Sequence, residues 1–238
     1  MLRLLATLTA LVLSACALAD ETPAYRYRLT VEVETPGGVR TGSSVIEVDT
    51  AVSQGIPTPG AVQHRVRGEA VAVDLPGGRT LFALLRSPID SDWASRVMFM
   101  LAPEGRDEDG DLFLGTYANM LEMEGPRVLP RFWPERGGLP ERTAFPMLVT
   151  FRDPADPASV EEVDPDDLAA TFGDGMRLKR VTVELTEDAV TEGLVQRLPW
   201  LPGTYSTMLD GRSNNTLYAE NRLANDLQQG DFSRGVLR

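Results

Sequence analysis

Tyr25-Arg-Tyr-Arg-Leu-Thr-Val-Glu-Val33, then Pro36-Gly37-Gly38, then the return from Val39 to Val48, decide the fold class of this chain. Apolar side chains fall on every odd position of 25–33 and polar ones on every even position. A period of two marks a strand with one buried and one wet face. The Pro-Gly-Gly step supplies the turn of a β-hairpin. Ser43 and Ser44 follow Gly42, and a bulge there would switch the inward face from Val45 to Ile46 and Val48. The pattern repeats downstream: Val62 to Leu75 and Arg79 to Leu85 are joined by Pro76-Gly77-Gly78. Two hairpins with matching turns predict an α+β fold, mainly antiparallel β-sheet, with a few short helices.

Outward from these hairpins, 51–60 reads as a loop, with Gly55, Pro57, Pro59 and Gly60. Asp92 to Leu101 fits either a strand centred on Val97 to Leu101 or a short helix starting near Ser91. Asp111 to Met123 has helical apolar spacing and stops at Gly125-Pro126. Five prolines between Gly125 and Pro146 exclude regular structure over most of that stretch. Thr143 to Phe151 reads as a strand. Asp164 as N-cap and Pro165 at the first helical position predict a helix from Pro165 to Phe172, stopped by Gly173. Met176 to Leu185 reads as another strand, and Ala189 to Leu198 as a short helix. The domain boundaries expected are a single α+β domain over 25–208 and a loosely packed polar arm over 209–238, with a helix near Leu217 to Leu227.

The N-terminus speaks to location. Arg3 precedes an apolar run, Leu4 to Leu13, which is too short to span a bilayer and is laid out as a secretory signal. The run ends in Leu13-Ser14-Ala15-Cys16, and Cys16 is the only cysteine. These four residues resemble the bacterial lipobox. That resemblance implies cleavage before Cys16, removal of the signal 1–15 and a lipid on the cysteine thiol, with 16–24 as a short tether. Ala17 after the cysteine, rather than Asp, implies an outer-membrane lipoprotein facing the periplasm. Ala17-Leu18-Ala19 also fits an ordinary signal-peptidase site, which would release a soluble periplasmic protein.

The chain has 35 acids against 23 bases, a net charge of −12. All the bases except Lys179 are arginine. Nucleic-acid phosphate would repel such a chain, and a basic membrane-adhesion patch is equally disfavoured. Membrane contact is expected through lipidated Cys16. With no cysteine after it, disulfides, thiolate metal sites and cysteine nucleophiles are excluded. No cofactor is implied.

Residues 66–85, Val-Arg-Gly-Glu-Ala-Val-Ala-Val-Asp-Leu-Pro-Gly-Gly-Arg-Thr-Leu-Phe-Ala-Leu-Leu, resemble a group of uncharacterised exported bacterial proteins. So do Ser159 to Gly173 and Arg197 to Leu201. The resemblance covers about half the chain and implies export, but no activity or site residue.

No catalytic residue stands out. The lone histidine, His64, would have to serve any serine triad, but no Gly-x-Ser-x-Gly elbow accompanies it, and it reads as a solvated strand residue. Asp107, Asp109 and Asp111 resemble part of a calcium loop, but Gly110 comes a step early and position twelve is Ala118. The alternative is a solvated acidic turn. The best binding candidate is the proline-rich stretch with Arg127, Arg131, Phe132, Trp133, Arg136 and Arg142, a basic-aromatic loop in an acidic chain. It could grip a protein or an acidic ligand, or its arginines could simply pair with nearby acids. The functional expectation is an exported, lipid-anchored envelope protein acting as a non-catalytic binding domain. The alternative is a carboxylate-based hydrolase of cell-wall glycan, which needs two acids converging in a cleft lined by Trp93 or Trp133.

Overall fold

The computed structural model describes residues 22–52, 61–134 and 141–236. The first elements are β1 (Tyr25–Thr35), β2 (Gly38–Val52), β3 (Val62–Glu69), β4 (Val71–Asp74) and β5 (Thr80–Ala83). Helices α1 (Trp93–Leu101) and α2 (Leu112–Leu121) follow, then β6 (Arg127–Val128), β7 (Phe132–Trp133), β8 (Arg142–Thr143) and β9 (Leu148–Phe151). The chain continues through β10 (Val160–Glu162), α3 (Leu168–Phe172) and β11 (Arg177–Leu185) to α4 (Arg222–Asp226), α5 (Gln229–Phe232) and β12 (Ser233–Arg234). Every strand pairing is antiparallel, so the fold is α+β and mainly β.

A six-stranded sheet runs in the order β12-β3-β2-β1-β11-β6, and a four-stranded sheet in the order β10-β9-β5-β4. The alternation of β1 is realised in full. Tyr25, Tyr27, Leu29, Val31 and Val33 are all buried, each fully buried apolar side chain contributing roughly 1.5–3 kcal/mol. Both Pro-Gly-Gly turns form. In the second, Gly77 and Gly78 have φ of +86° and +80°, a region open to glycine. The two hairpins do not lie side by side, however. Residues 62–75 do not form one strand: β3 pairs with β2 in the larger sheet, and after Ala70 the chain crosses into the smaller sheet as β4.

The bulge falls elsewhere than the sequence suggests. The β1–β2 register is unbroken from Tyr25–Val48 to Thr35–Gly38. Gly42 is needed because β4 crosses at that point, and a Cβ there would lie 2.2 Å from the Ala72 carbonyl oxygen. Val45 and Ile46 are both buried. The segment carrying Thr191 lies along β2 at Val45, where its N–H donates to the Val45 carbonyl (3.1 Å) and its hydroxyl accepts from the Val45 N–H (2.8 Å). The actual irregularity lies between β1 and β11, where Glu32 faces Arg180 and Val33 faces Leu178. The skipped residue is Lys179, and both cations reach Glu32, at 3.0 Å from Lys179 Nζ and 2.6 Å from Arg180 Nε. They hold the Glu32 carboxyl below its ordinary range.

The small sheet is covered on both faces. Leu81, Ala83 and Leu148 join a core shared with the large sheet, α1 and α2. Phe82, Leu84, Met147, Val149 and Phe151 join a second core built with Leu194, Leu198, Leu201, Leu227 and Phe232. That is why Leu81-Phe-Ala-Leu-Leu85 is a continuous apolar run rather than an alternating one.

Several boundaries differ from the sequence expectation. Asp92 to Leu101 resolves as helix, because Trp93, Ala94, Val97 and Met98 share a buried face and the Tyr27 hydroxyl donates to the Ala94 carbonyl at 2.8 Å. Helix α3 starts later than Pro165, with Asp167 as its cap, while Asp164 closes the preceding turn. Between 189 and 198 only a single 3₁₀ turn forms, Leu194–Gln196. The strand expected at 143–151 is interrupted after Thr143 and resumes at Leu148. The C-terminal segment is no loose arm: Leu209, Ala224, Leu227 and Phe232 are buried in the second core. Nor is 16–24 wholly free tether. The Thr22 hydroxyl donates to the Thr50 carbonyl (2.9 Å), and the Pro23 carbonyl accepts from the Tyr117 hydroxyl (2.9 Å). Cys16 lies outside the described residues. Among the described residues no helix is long and apolar enough to cross a membrane.

Candidate functional site

The proline-rich stretch does not form one surface; its residues divide among three places. β7 and β8 make a two-stranded ribbon, with Phe132 opposite Thr143 and Trp133 opposite Arg142. Successive side chains on a strand point to opposite sides, so Phe132 and Trp133 part company. Trp133 is 9% exposed and packs into the first core. The ribbon is fastened to α1 by the Trp93 indole N–H, which donates to the Ala144 carbonyl at 2.9 Å.

Arg131 takes the other side. Its Nε and Nη2 donate to the Asp166 carboxylate, the shortest contact being 2.7 Å, and its Nη1 donates to the Thr143 hydroxyl at 2.8 Å. The guanidinium also lies 4.4 Å over the Phe132 ring, and it holds Asp166 below the ordinary carboxylate range. For Arg131, therefore, the explanation is pairing with a nearby acid. Arg127 sits exposed on β6, at the outer edge of the large sheet. Arg136 lies outside the described residues.

Trp133 and Arg142 meet α1 across a cleft of about 280 Å³. Trp93, Arg96, Val97 and Met100 of α1 form one wall, and Trp133, Arg142 and Thr143 form the other. The turn Ser87–Asp90 closes one end, with Ile89 63% exposed at the rim. That turn is ordered by Ser87, whose hydroxyl oxygen accepts the Asp90 N–H at 3.0 Å. Among the described lining residues Asp90 is the one carboxylate, and it is already engaged. It accepts the Asp92 N–H at 2.9 Å and pairs with Arg96 at 3.4 Å. Arg96 also reaches Asp92 at 3.3 Å. Arg142 makes no ion pair among the described residues.

An arginine beside apolar and indole surface suits recognition of an acidic group attached to an apolar one. Among the described residues that line the cleft, Asp90 has no second carboxylate beside it with which to form the acid pair that glycoside hydrolysis requires. The third tryptophan, Trp200, lies elsewhere, packed edge-on against Phe232 in the second core.

The other candidates have structural duties. The Asp107 carboxylate accepts the Asp111 N–H at 2.7 Å, and Asp111 caps α2 by accepting from the N–H groups of Phe113 (2.7 Å) and Leu114 (3.0 Å). Asp107 and Asp111 thus serve a turn and a helix cap, with Asp109 in the turn between them. Among the described residues no group of three His, Cys, Asp or Glu is placed to hold a metal ion. His64 stands on β3 with its Nδ1 3.1 Å from the Thr50 hydroxyl. Ser87, Ile89 and Asp90 escaped the sequence reading because a Ser-Pro-Ile-Asp turn carries no distinctive pattern. Comparison with known protein families, curated proteins and solved structures returned no match.

Proposed function

We propose that this chain is an exported envelope protein, anchored to the outer membrane by a lipid on Cys16. Its folded part is a non-catalytic binding domain facing the periplasm. The binding surface is the cleft between α1 and the β7–β8 ribbon, and its partner is a protein or ligand that presents an acidic group beside an apolar one. The observation that carries this reading is the pairing pattern of the cleft. Among the described residues Arg142 is left without an ion pair, and the one lining carboxylate, Asp90, is spent on Arg96 and the Asp92 amide. The lipobox-like Leu13-Ser14-Ala15-Cys16 and the resemblance of 66–85 to exported bacterial proteins support the location.

Two measurements test the two halves of the proposal. Purified mature protein should turn over no substrate in an unbiased hydrolysis screen of envelope components. An activity abolished by Asp90→Asn would make the cleft a hydrolase site instead. For the anchor, Cys16→Ser should move the protein from the membrane fraction to the soluble periplasmic fraction. Unchanged membrane association of that variant would remove the lipid from the account.

A further inference from the structure

A second pocket, of about 630 Å³, opens between the turn Leu201–Tyr205 and the C-terminal strap formed by α5 and β12. Its volume falls in the range of small-molecule sites. Pro202, Tyr205, Gln229, Ser233 and Arg234 line it.

Arg234 is held in a particular way. Its Nε–H donates to the Gly230 carbonyl and its Nη2–H to the Ser91 carbonyl, both at 2.8 Å. Backbone carbonyls orient a guanidinium without neutralising it. No carboxylate among the described residues lies within ion-pair distance of Arg234, although the chain contains 35 acids. The neighbouring Asp231 feels the charge of Arg234 but lies within ion-pair distance of Arg86 (3.9 Å), whose guanidinium also takes Asp226 at 3.2 Å. Beside Arg234, the Ser233 hydroxyl is buried next to Glu69 without a hydrogen bond of good geometry. At the mouth, Tyr205 is 85% exposed, a large ring with no packing duty. An arginine fixed in advance loses little freedom on binding an anion, and an exposed ring gives the attached apolar body a surface to cover.

We propose that this pocket binds a small organic carboxylate with an apolar body, its carboxylate on Arg234 and its apolar part against Tyr205 and Pro202. This site is separate from the α1–ribbon cleft and does not depend on the function proposed for it.

Titration calorimetry of the purified mature protein with 4-phenylbutyrate and with its neutral amide tests the proposal. The carboxylate should bind saturably, and the amide about tenfold more weakly or worse, the value of one charge-assisted hydrogen bond. Arg234→Gln and Tyr205→Ala should each weaken 4-phenylbutyrate by about the same factor. Because Arg234 also braces Gly230 and Ser91, its replacement can disturb folding. Tyr205→Ala, at an exposed position, then carries the test alone. No saturable binding, equal affinity for acid and amide, or full affinity in Tyr205→Ala would overturn the proposal.

Discussion

Glu69 is 2% exposed at the point where the chain leaves the large sheet for the small one. Its carboxylate accepts the Leu194 N–H at 2.8 Å, yet burial pushes its pKa up, with Glu192 adding to the rise. An acid whose folded pKa is raised contributes stability that is complete below the ordinary glutamate pKa and lost as pH rises through the folded value. Glu69→Gln keeps an acceptor for Leu194 and removes the titration. Urea unfolding at pH 5 and pH 7 should therefore show a smaller loss of stability on going to pH 7 in Glu69→Gln than in the parent chain. An identical difference in both would show that Glu69 titrates normally. Asn225 illustrates a buried polar residue with both amide N–H groups and its carbonyl oxygen hydrogen-bonded. Its Nδ2 donates to Asp210 (2.9 Å) and to the Asn214 carbonyl (3.1 Å), and its Oδ1 accepts from the Thr216 N–H (2.6 Å). In sequence such asparagines look like solvated loop. Only the folded chain reveals that they organise the 210–225 turn.

At the scale of elements, local pattern was most legible where one face of an element is wet. The alternation of β1, both glycine turns and the apolar spacing of α2 were readable for that reason. Legibility failed where long-range packing decides. Gly42 suggests a bulge from its neighbours alone, whereas its true constraint is the carbonyl of Ala72, thirty residues away in the chain. The start of α3 was misplaced because Asp164 and Asp167 are both good caps, and Asp164 closes a turn instead. The acidic stretch before α2 makes the matching prediction. As an N-cap, Asp111 should cost about 1 kcal/mol when changed to alanine, read as a lower urea midpoint. Millimolar calcium should leave the parent midpoint where it is. A calcium-dependent rise lost in Asp111→Ala would return these residues to metal binding.

In the whole molecule, the small sheet is the middle of the fold, with a core on each side. The second core depends on the C-terminus. Phe232 is fully buried and packs against Phe82, Phe151 and Trp200 with ring centroids 5.6–6.5 Å apart. The strap is also sewn in by backbone, Ala70 N–H to the Phe232 carbonyl at 2.7 Å and Leu85 N–H to the Asp231 carbonyl at 2.9 Å. Phe232→Ala should cost about 4 kcal/mol in urea unfolding, a core-sized loss. A loss below about 1 kcal/mol, the scale of surface sites, would restore the loose polar arm that composition suggested. That expectation failed because four apolar residues spread over a long polar stretch carry no period, though each fills a place in the core. The cleft between α1 and the β7–β8 ribbon was half legible for a related reason. Trp133 and Arg142 stood out as aromatic and basic in a proline-rich loop, but their partners on α1 come from a segment whose helical or strand character the sequence left open.

The proposed role of this cleft, with Arg142 on its wall, is to meet an acidic partner in the envelope. A photo-reactive residue placed at Ile89, exposed on the cleft rim, tests it in intact cells. A discrete crosslinked adduct is expected in the otherwise unaltered chain, together with its loss when Arg142→Glu is added to a protein that remains folded and exported. An adduct of undiminished yield in the Arg142→Glu chain would contradict it.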